Sequence, residues 1–206
     1  MKQFSQLFLV GCIAVVLAGC SSAPSRFYAL NATAAGAGSP AGNYAVMVGP
    51  VFIPASVDRP QFTIQTAPNR IEIDEFNRWA APLNDSIARV VSANLGTLLG
   101  SPLVATAPLP DFRANYRVTI RVERFESVRA KDDQNSEALV DALWVVRGPG
   151  EQHVISGHTL AREPAPGGSP DAFAIAHSRA LAKLSVDIAG AIHAAAQQSS
   201  GETSAP

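Results

Sequence analysis

The two cysteines and four histidines have the widest chemical reach among the 206 residues of this chain. Cys20 closes the run Leu17-Ala18-Gly19-Cys20, which looks like a bacterial lipobox: small residues admit a lipoprotein signal peptidase, and the freed thiol takes a diacylglyceryl group. Upstream, Lys2 precedes an uncharged apolar segment, Leu7 to Ala18. That segment is too short to span a bilayer but has the length of a signal-peptide core. Residues 1–19 are therefore expected to be a cleaved leader, with Cys20 the lipid-attachment site. Its acyl chains, palmitate among them, exceed the two-signal requirement for stable anchoring. Ser21 follows where an aspartate would resemble an inner-membrane retention signal, so the expected address is the periplasmic face of the outer membrane. Cys12 leaves with the leader, and the mature chain then has no thiol pair to bridge. Its stability must come from its core.

The histidines do not assemble a reactive centre. His153 and His158 are five apart in a strand-like stretch, which places them on opposite faces, and His177 and His193 are sixteen apart in a helical one. Neither spacing suits a metal. His177 falls on an apolar helix face and reads as a hydrogen-bonded core histidine. The chain has no GxSxG elbow, phosphate loop or Cys/His pair, so the expectation is a protein that is not an enzyme and takes no cofactor or metal. The formal charge of −1 becomes −2 once Lys2 is removed, leaving 15 basic against 17 acidic side chains. Nucleic acid is not an expected partner.

The stretch from Asp58 to Leu83 is the most specific in the chain. Phe62, Ile64 and Thr66 alternate with polar residues, and after Ala67-Pro68-Asn69-Arg70 the alternation resumes with Ile71 and Ile73. Two half-buried antiparallel strands are predicted, joined by a turn for which Pro68 and Asn69 are suited. Phe76 and Trp79 follow, with packing as their expected role, and Pro82 then opens a helix. The run DRPQ, a short hairpin and EFNRWAAPL resembles the signature of the PqiC/YmbA-like family, auxiliary lipoproteins of ABC-type transport systems, and the similarity extends from about Phe27 to Ala196. One departure is that Ala81 stands where the family often has an acidic residue. The resemblance implies a membrane-integrity-associated transporter subunit, for which the candidate partner-docking residues are Asp58, Arg59, Glu75, Arg78 and Trp79.

The elements around this run follow from periodicity. Residues 20–43 are rich in Ala, Gly, Ser and Pro and read as an acylated tether, interrupted by Arg26-Phe27-Tyr28-Ala29-Leu30 as a short edge strand. Tyr44 to Ile53 is a valine-rich strand split by Gly49-Pro50, as an edge strand with a bulge would be. Leu83, Ile87, Val90, Val91, Leu95, Leu98 and Leu99 mark one face of a helix that Gly100 and Pro102 stop. A brief strand over Leu103–Thr106 precedes Tyr116, Val118, Ile120 and Val122, which alternate with Arg117, Thr119, Arg121 and Glu123. That arginine row could meet phosphate, but pairing with cross-strand carboxylates is favoured. The next strand, Ala138 to Arg147, is apolar on both faces and so central, and Val154–Ala161 completes a meander. Ser169-Pro170-Asp171 starts a second helix, with Ser169 as its cap. Residues 198–206 are expected to be a disordered tail.

The predicted architecture is α+β: one domain over 44–197, with a mainly antiparallel sheet of about five to seven strands and two long helices packed on one face. Two functions compete. The resemblance implies a non-catalytic outer-membrane subunit of an ABC-linked or MCE-type lipid transport system. That subunit would dock an MCE-type periplasmic component, with inner-membrane components beyond it, and it could form a homo-oligomer. The alternative is a carrier holding a lipid or small ligand between helix and sheet. A large apolar cavity would favour the carrier, and a filled core with an exposed apolar or edge patch would favour docking.

Overall fold

The strand from Tyr116 to Val128 is the axis on which the sheet is assembled. In the computed structural model, residues 24–36, 44–108, 110–132, 134–149 and 153–202 are described, with side chains up to residue 198. The expected leader and Cys20 lie outside the described residues. The elements are β1 (Arg26–Tyr28), β2 (Val46–Phe52), β3 (Gln61–Ala67), β4 (Arg70–Trp79), α1 (Leu83–Leu99), β5 (Val104–Ala105), β6 (Tyr116–Val128), β7 (Glu137–Arg147), β8 (Val154–Pro164) and α2 (Pro170–Glu202).

One edge of β6 is shared by two strands. Its first half pairs with β2 from Tyr116 to Arg121, and its last two residues pair with β3, both parallel. The other edge carries the antiparallel meander β6-β7-β8. β6 can run this far because its register shifts between Val122 and Arg124. The extra residue returns Phe125 and Ser127 to the side already occupied by Val118, Ile120 and Val122, and all five are buried. The β3-β4 hairpin is antiparallel, whereas β1 joins β4 and β5 joins β2 in parallel.

The α+β class and the two helices on one face are as predicted. The sheet is mixed rather than mainly antiparallel, and among the described residues it has eight strands once the short β1 and β5 are counted. Alternation reports which face a residue takes but not the direction of its neighbour, so the parallel contacts were invisible in sequence. β2 is interior at its start, paired on both sides, and its predicted bulge lies at Gly49-Pro50, between Val48 and Val51.

Both helices form where their caps predict. Pro82 stands at the cap of α1 and its carbonyl accepts from the Ser86 N–H at 3.0 Å. Gly100 ends the helix in the left-handed conformation at φ 59°. On α2, the Ser169 hydroxyl accepts from the Ala172 N–H at 3.2 Å. Leu83, Ile87, Val90, Val91, Leu95 and Leu99 of α1 meet Phe173, Leu181, Leu184, Ile188 and Ile192 of α2 in one core with the inner face of the sheet. α2 continues through residues 198–202, part of the segment expected to be a disordered tail.

The tether expectation needs a larger correction. Only residues up to about Ser25 precede β1, and the chain after β1 crosses the outside of the helix pair as a strap. Leu30 is fully buried, and its carbonyl accepts from Arg89 Nη2 at 3.0 Å. Asn31 N–H donates to the Ser178 hydroxyl at 3.1 Å, and the N–H groups of Thr33 and Ala34 both donate to Asn94 Oδ1 at 3.0 Å. A small-residue composition suits a linker, but it also suits a segment lying close against helix backbone. Long-range hydrogen bonds decide which it is.

Candidate docking site

The site expected around the β3-β4 hairpin is built on an irregularity in the ladder. Phe62 pairs with Asp74 and Gln61 with Arg78, so Glu75, Phe76 and Asn77 have no opposite residues on β3. Asp74 holds this bulge: its Oδ1 accepts from the N–H groups of Phe76 and Asn77, each at 3.1 Å, and its Oδ2 from Asn77 Nδ2 at 2.8 Å. Asn77 Oδ1 in turn accepts from the Tyr28 hydroxyl at 2.8 Å, tying β1 to the bulge. Asp74 and Asn77 were not among the expected site residues. Their signal was present, since Asp and Asn three apart in a strand-like run suit a side-chain-capped turn better than a ladder.

The bulge brings some of the expected residues together and separates others. Glu75 and Arg78 are neighbours: Arg78 Nε donates to the Glu75 carbonyl at 3.0 Å, and the guanidinium is 3.9 Å from a carboxylate oxygen that also accepts from Gln61 Nε2. Asp58 is exposed. Arg59 is half-buried, and its Nε is buried without a hydrogen-bond partner. Trp79 is 7% exposed and stacks on Phe62 at 4.2 Å, with Phe125 edge-on beyond it. It is a core residue, as packing of the aromatics predicted, and so is corrected as a docking residue. Phe76 is 46% exposed because the bulge turns it outward.

The hairpin continues into the helix-free face of the sheet. Ile71 and Ile73, predicted to be half-buried, stand there beside Gln65 and Thr63 at 56% and 45% exposure. Phe52, Leu143 and Leu160 are also exposed on that face. Its charges are only partly matched. Arg124 meets Glu126 at 2.7 Å, Arg162 meets Glu137, and His158 meets Asp141 at 2.6 Å. Arg121 lies over the Phe52 ring at 5.5 Å. Arg117 is paired in register with Arg147. The expected carboxylate pairing of the arginine row is therefore corrected: among the described residues neither Arg117 nor Arg121 has a carboxylate partner, and the ion pairs form at Arg124 and Arg162 instead.

Residues 28–189 match the family of ABC-type transport auxiliary lipoprotein components. The chain belongs to this family. Over 148 residues it is 32% identical to the intermembrane transport lipoprotein PqiC of Escherichia coli, covering 70% of this chain and 75% of that protein, and equally so to PqiC of Shigella flexneri. Its fold is shared by a crystal structure of a Xanthomonas campestris protein at TM-score 0.68 and 22% identity, over 85% of this chain and 99% of that one.

Other parts of this auxiliary lipoprotein have structural roles. His177 is fully buried, stacked on Phe125 at 3.8 Å and bonded through Nε2 to the Ser127 hydroxyl at 3.0 Å, and burial lowers its pKa to about 3. It is the core histidine its helix face predicted. Glu163 lies under Arg179 and Lys183 at 2.9 and 2.6 Å. Burial would push its carboxyl up, but these two hydrogen-bonded cations hold it below its usual range. Among the described residues no group of His, Cys, Asp and Glu could hold a metal, and no helix is long and apolar enough to cross a membrane. A surface groove of about 520 Å³ lies between Val57, Gln65, Ile71 and Glu126. The space between helices and sheet is filled by fully buried side chains.

Proposed function

We propose that the chain is a non-catalytic subunit of an ABC-linked, MCE-type intermembrane lipid transport system, held by acylated Cys20 at the periplasmic face of the outer membrane. It docks a periplasmic MCE-type component there, with its inner-membrane partners beyond, and a ring of identical copies suits such a role. Family membership and the name of its PqiC relatives support the transport setting. The observation that carries docking is the uncovered sheet face, on which Phe52, Ile71, Ile73, Leu143 and Leu160 are exposed beside the bulge that presents Glu75 and Arg78. Large apolar side chains clustered on one open face mark a contact surface. The filled core weighs against the carrier reading.

The test is affinity capture of the acylated protein from solubilised envelopes, beside Cys20→Ala and the double variant Ile71→Glu, Leu143→Glu. Mass spectrometry would identify both protein and lipid. An MCE-type subunit recovered by the parent and lost from the double variant is the expected result. Stoichiometric phospholipid with no protein partner would replace docking by the carrier reading.

A further inference from the structure

The strap shortens the tether, and this restricts how the domain can sit on its membrane. Asn31, Thr33 and Ala34 are fixed to α1 and α2, and β1 is fixed to β4, with Tyr28 also bonded to Asn77. The reach from Cys20 is therefore set by residues 21–25 alone. A fully extended chain gains roughly 3.5 Å per residue, so Arg26 lies within about 20 Å of the Cys20 backbone. Headgroups occupy roughly 5–8 Å of each leaflet beyond the hydrocarbon. The edge of the domain at which β1 enters must stay close to the bilayer.

That edge is amphipathic. Phe27 is 65% exposed, the largest exposure among the described large apolar side chains, and Ile175 on α2 is 56% exposed. The two line one shallow groove. Arg26 is exposed and has no carboxylate partner among the described residues. Asp171, in the same groove, is the one acidic side chain along it, at the mouth nearest the start of α2. Phe27 is conspicuous because Tyr28, beside it, turns inward to pack edge-on against Phe62 at 5.2 Å. β1 therefore places one aromatic ring in the core and sends the other to solvent.

We propose that Phe27 and Ile175 form a membrane-contact edge that enters the interfacial layer of the phospholipid leaflet holding Cys20, with Arg26 meeting lipid phosphate. This rests on the acylated-Cys20 reading. The contact fixes the orientation of the domain: β1 and the start of α2 face the bilayer, and the open sheet face from β4 to β8 stays outside it, free for a partner. Apolar side chains beside a lipid anchor are favoured in the interface, where their burial adds to that of the acyl chains.

The acylated full-length mature protein would be reconstituted into phosphatidylethanolamine/phosphatidylglycerol vesicles with brominated acyl chains, as Ile175→Trp and separately as Leu160→Trp on the open face. Emission from the native Trp79 and Trp144 is subtracted using the unsubstituted protein, and intact-mass measurement establishes acylation. Tryptophan at 175 is expected to lose about half its emission, as a ring in the interfacial layer would, while tryptophan at 160 loses none. Adding Phe27→Ser to the 175 variant should reduce that quenching. An acylated protein in which 175 is unquenched, or 160 is quenched instead, overturns the membrane edge and leaves the anchor standing. An unmodified Cys20 overturns both.

Discussion

The two faces of the sheet are made from the same strands and differ in almost every other respect. On the helix-covered face, Val118, Ile120, Ala142, Trp144 and Val146 are buried, and polar groups that enter find partners, as where Trp144 Nε1 donates to the Thr159 hydroxyl at 3.0 Å, which donates to Asp187 at 2.5 Å, although His177 Nδ1 is buried without one. On the other face the same strands present arginines, of which some are ion-paired and some are not, and leucines at about half exposure. Among the described residues only Leu139 is fully buried there, between Glu126 and Arg162 in the register and outside the main core. The first face is determined by packing alone. The second exposes large apolar side chains with no layer over them, the kind of surface the proposed docking requires.

Neighbouring positions on β8 test this difference most sharply. Gly157 faces the helices and pairs with Trp144, and a Cβ placed on it would stand 2.2 Å from the Trp144 ring. Gly157→Val must displace that ring and break its bond to Thr159, and it is expected to cost at least about 3 kcal/mol. Ser156, one residue earlier, points to the open face, and Ser156→Val should change stability by less than about 0.5 kcal/mol. Equilibrium urea unfolding of the two variants measures both values. Equal losses would mean that the open face is as tightly packed as the other, contrary to the description above.

The buried face was the legible one. Apolar alternation on β3, β6 and β7, the stripes of α1 and α2, their caps and the inward place of His177 all follow from period and propensity. Sequence reasoning failed where a residue's neighbours are distant in the chain. Ile71 and Ile73 alternate as buried residues do, yet the face they select has no layer over it. Trp79 sits within the most specific run of the chain but is held by Phe62 and Phe125. The strap from Ala29 to Gly36 has the composition of a linker and is fixed by Arg89, Asn94 and Ser178. A signal for it existed, because Asn94 lies four residues after Val90 on an otherwise apolar helix face and needed buried partners. Leader and anchor remain readings of the motif around Cys20.

Asn94 extends the comparison to a third surface, the outside of the helix layer. It is fully buried, its Oδ1 receives two strap N–H groups, and its Nδ2 donates to the Ser185 hydroxyl at 3.2 Å. Asn94→Ala leaves those donors without an acceptor, and an unsatisfied buried group costs roughly 1–3 kcal/mol. The strap can respond by detaching and finding water, so the net loss expected is about 2 kcal/mol. Amide exchange should then accelerate at Thr33 and Ala34 well before it does in β6 and β7. Unchanged protection there would show that the strap is held by Leu30 alone.

The smallest effect concerns the titration of His177, which separates the faces by pH. Its imidazole is neutral in the fold because burial opposes the charged form, with a pKa lowered to about 3. In the unfolded chain it titrates near its ordinary value of 6.5. Between these values the unfolded chain binds a proton that the native state refuses, so stability is full above about pH 6.5 and falls as pH is lowered toward 3. The steepest slope this one group can give is about 1.4 kcal/mol per pH unit. His158 stands on the open face, its Nε2 2.6 Å from Asp141. His177→Gln, which keeps a donor and acceptor near Ser127, should flatten the dependence of unfolding free energy between pH 6 and about 5, where carboxylates such as Glu163 still add little. His158→Gln should leave that slope in place. If both variants keep the slope, another group carries it; if both remove it, the two faces respond to protons alike and the contrast between them is confined to packing.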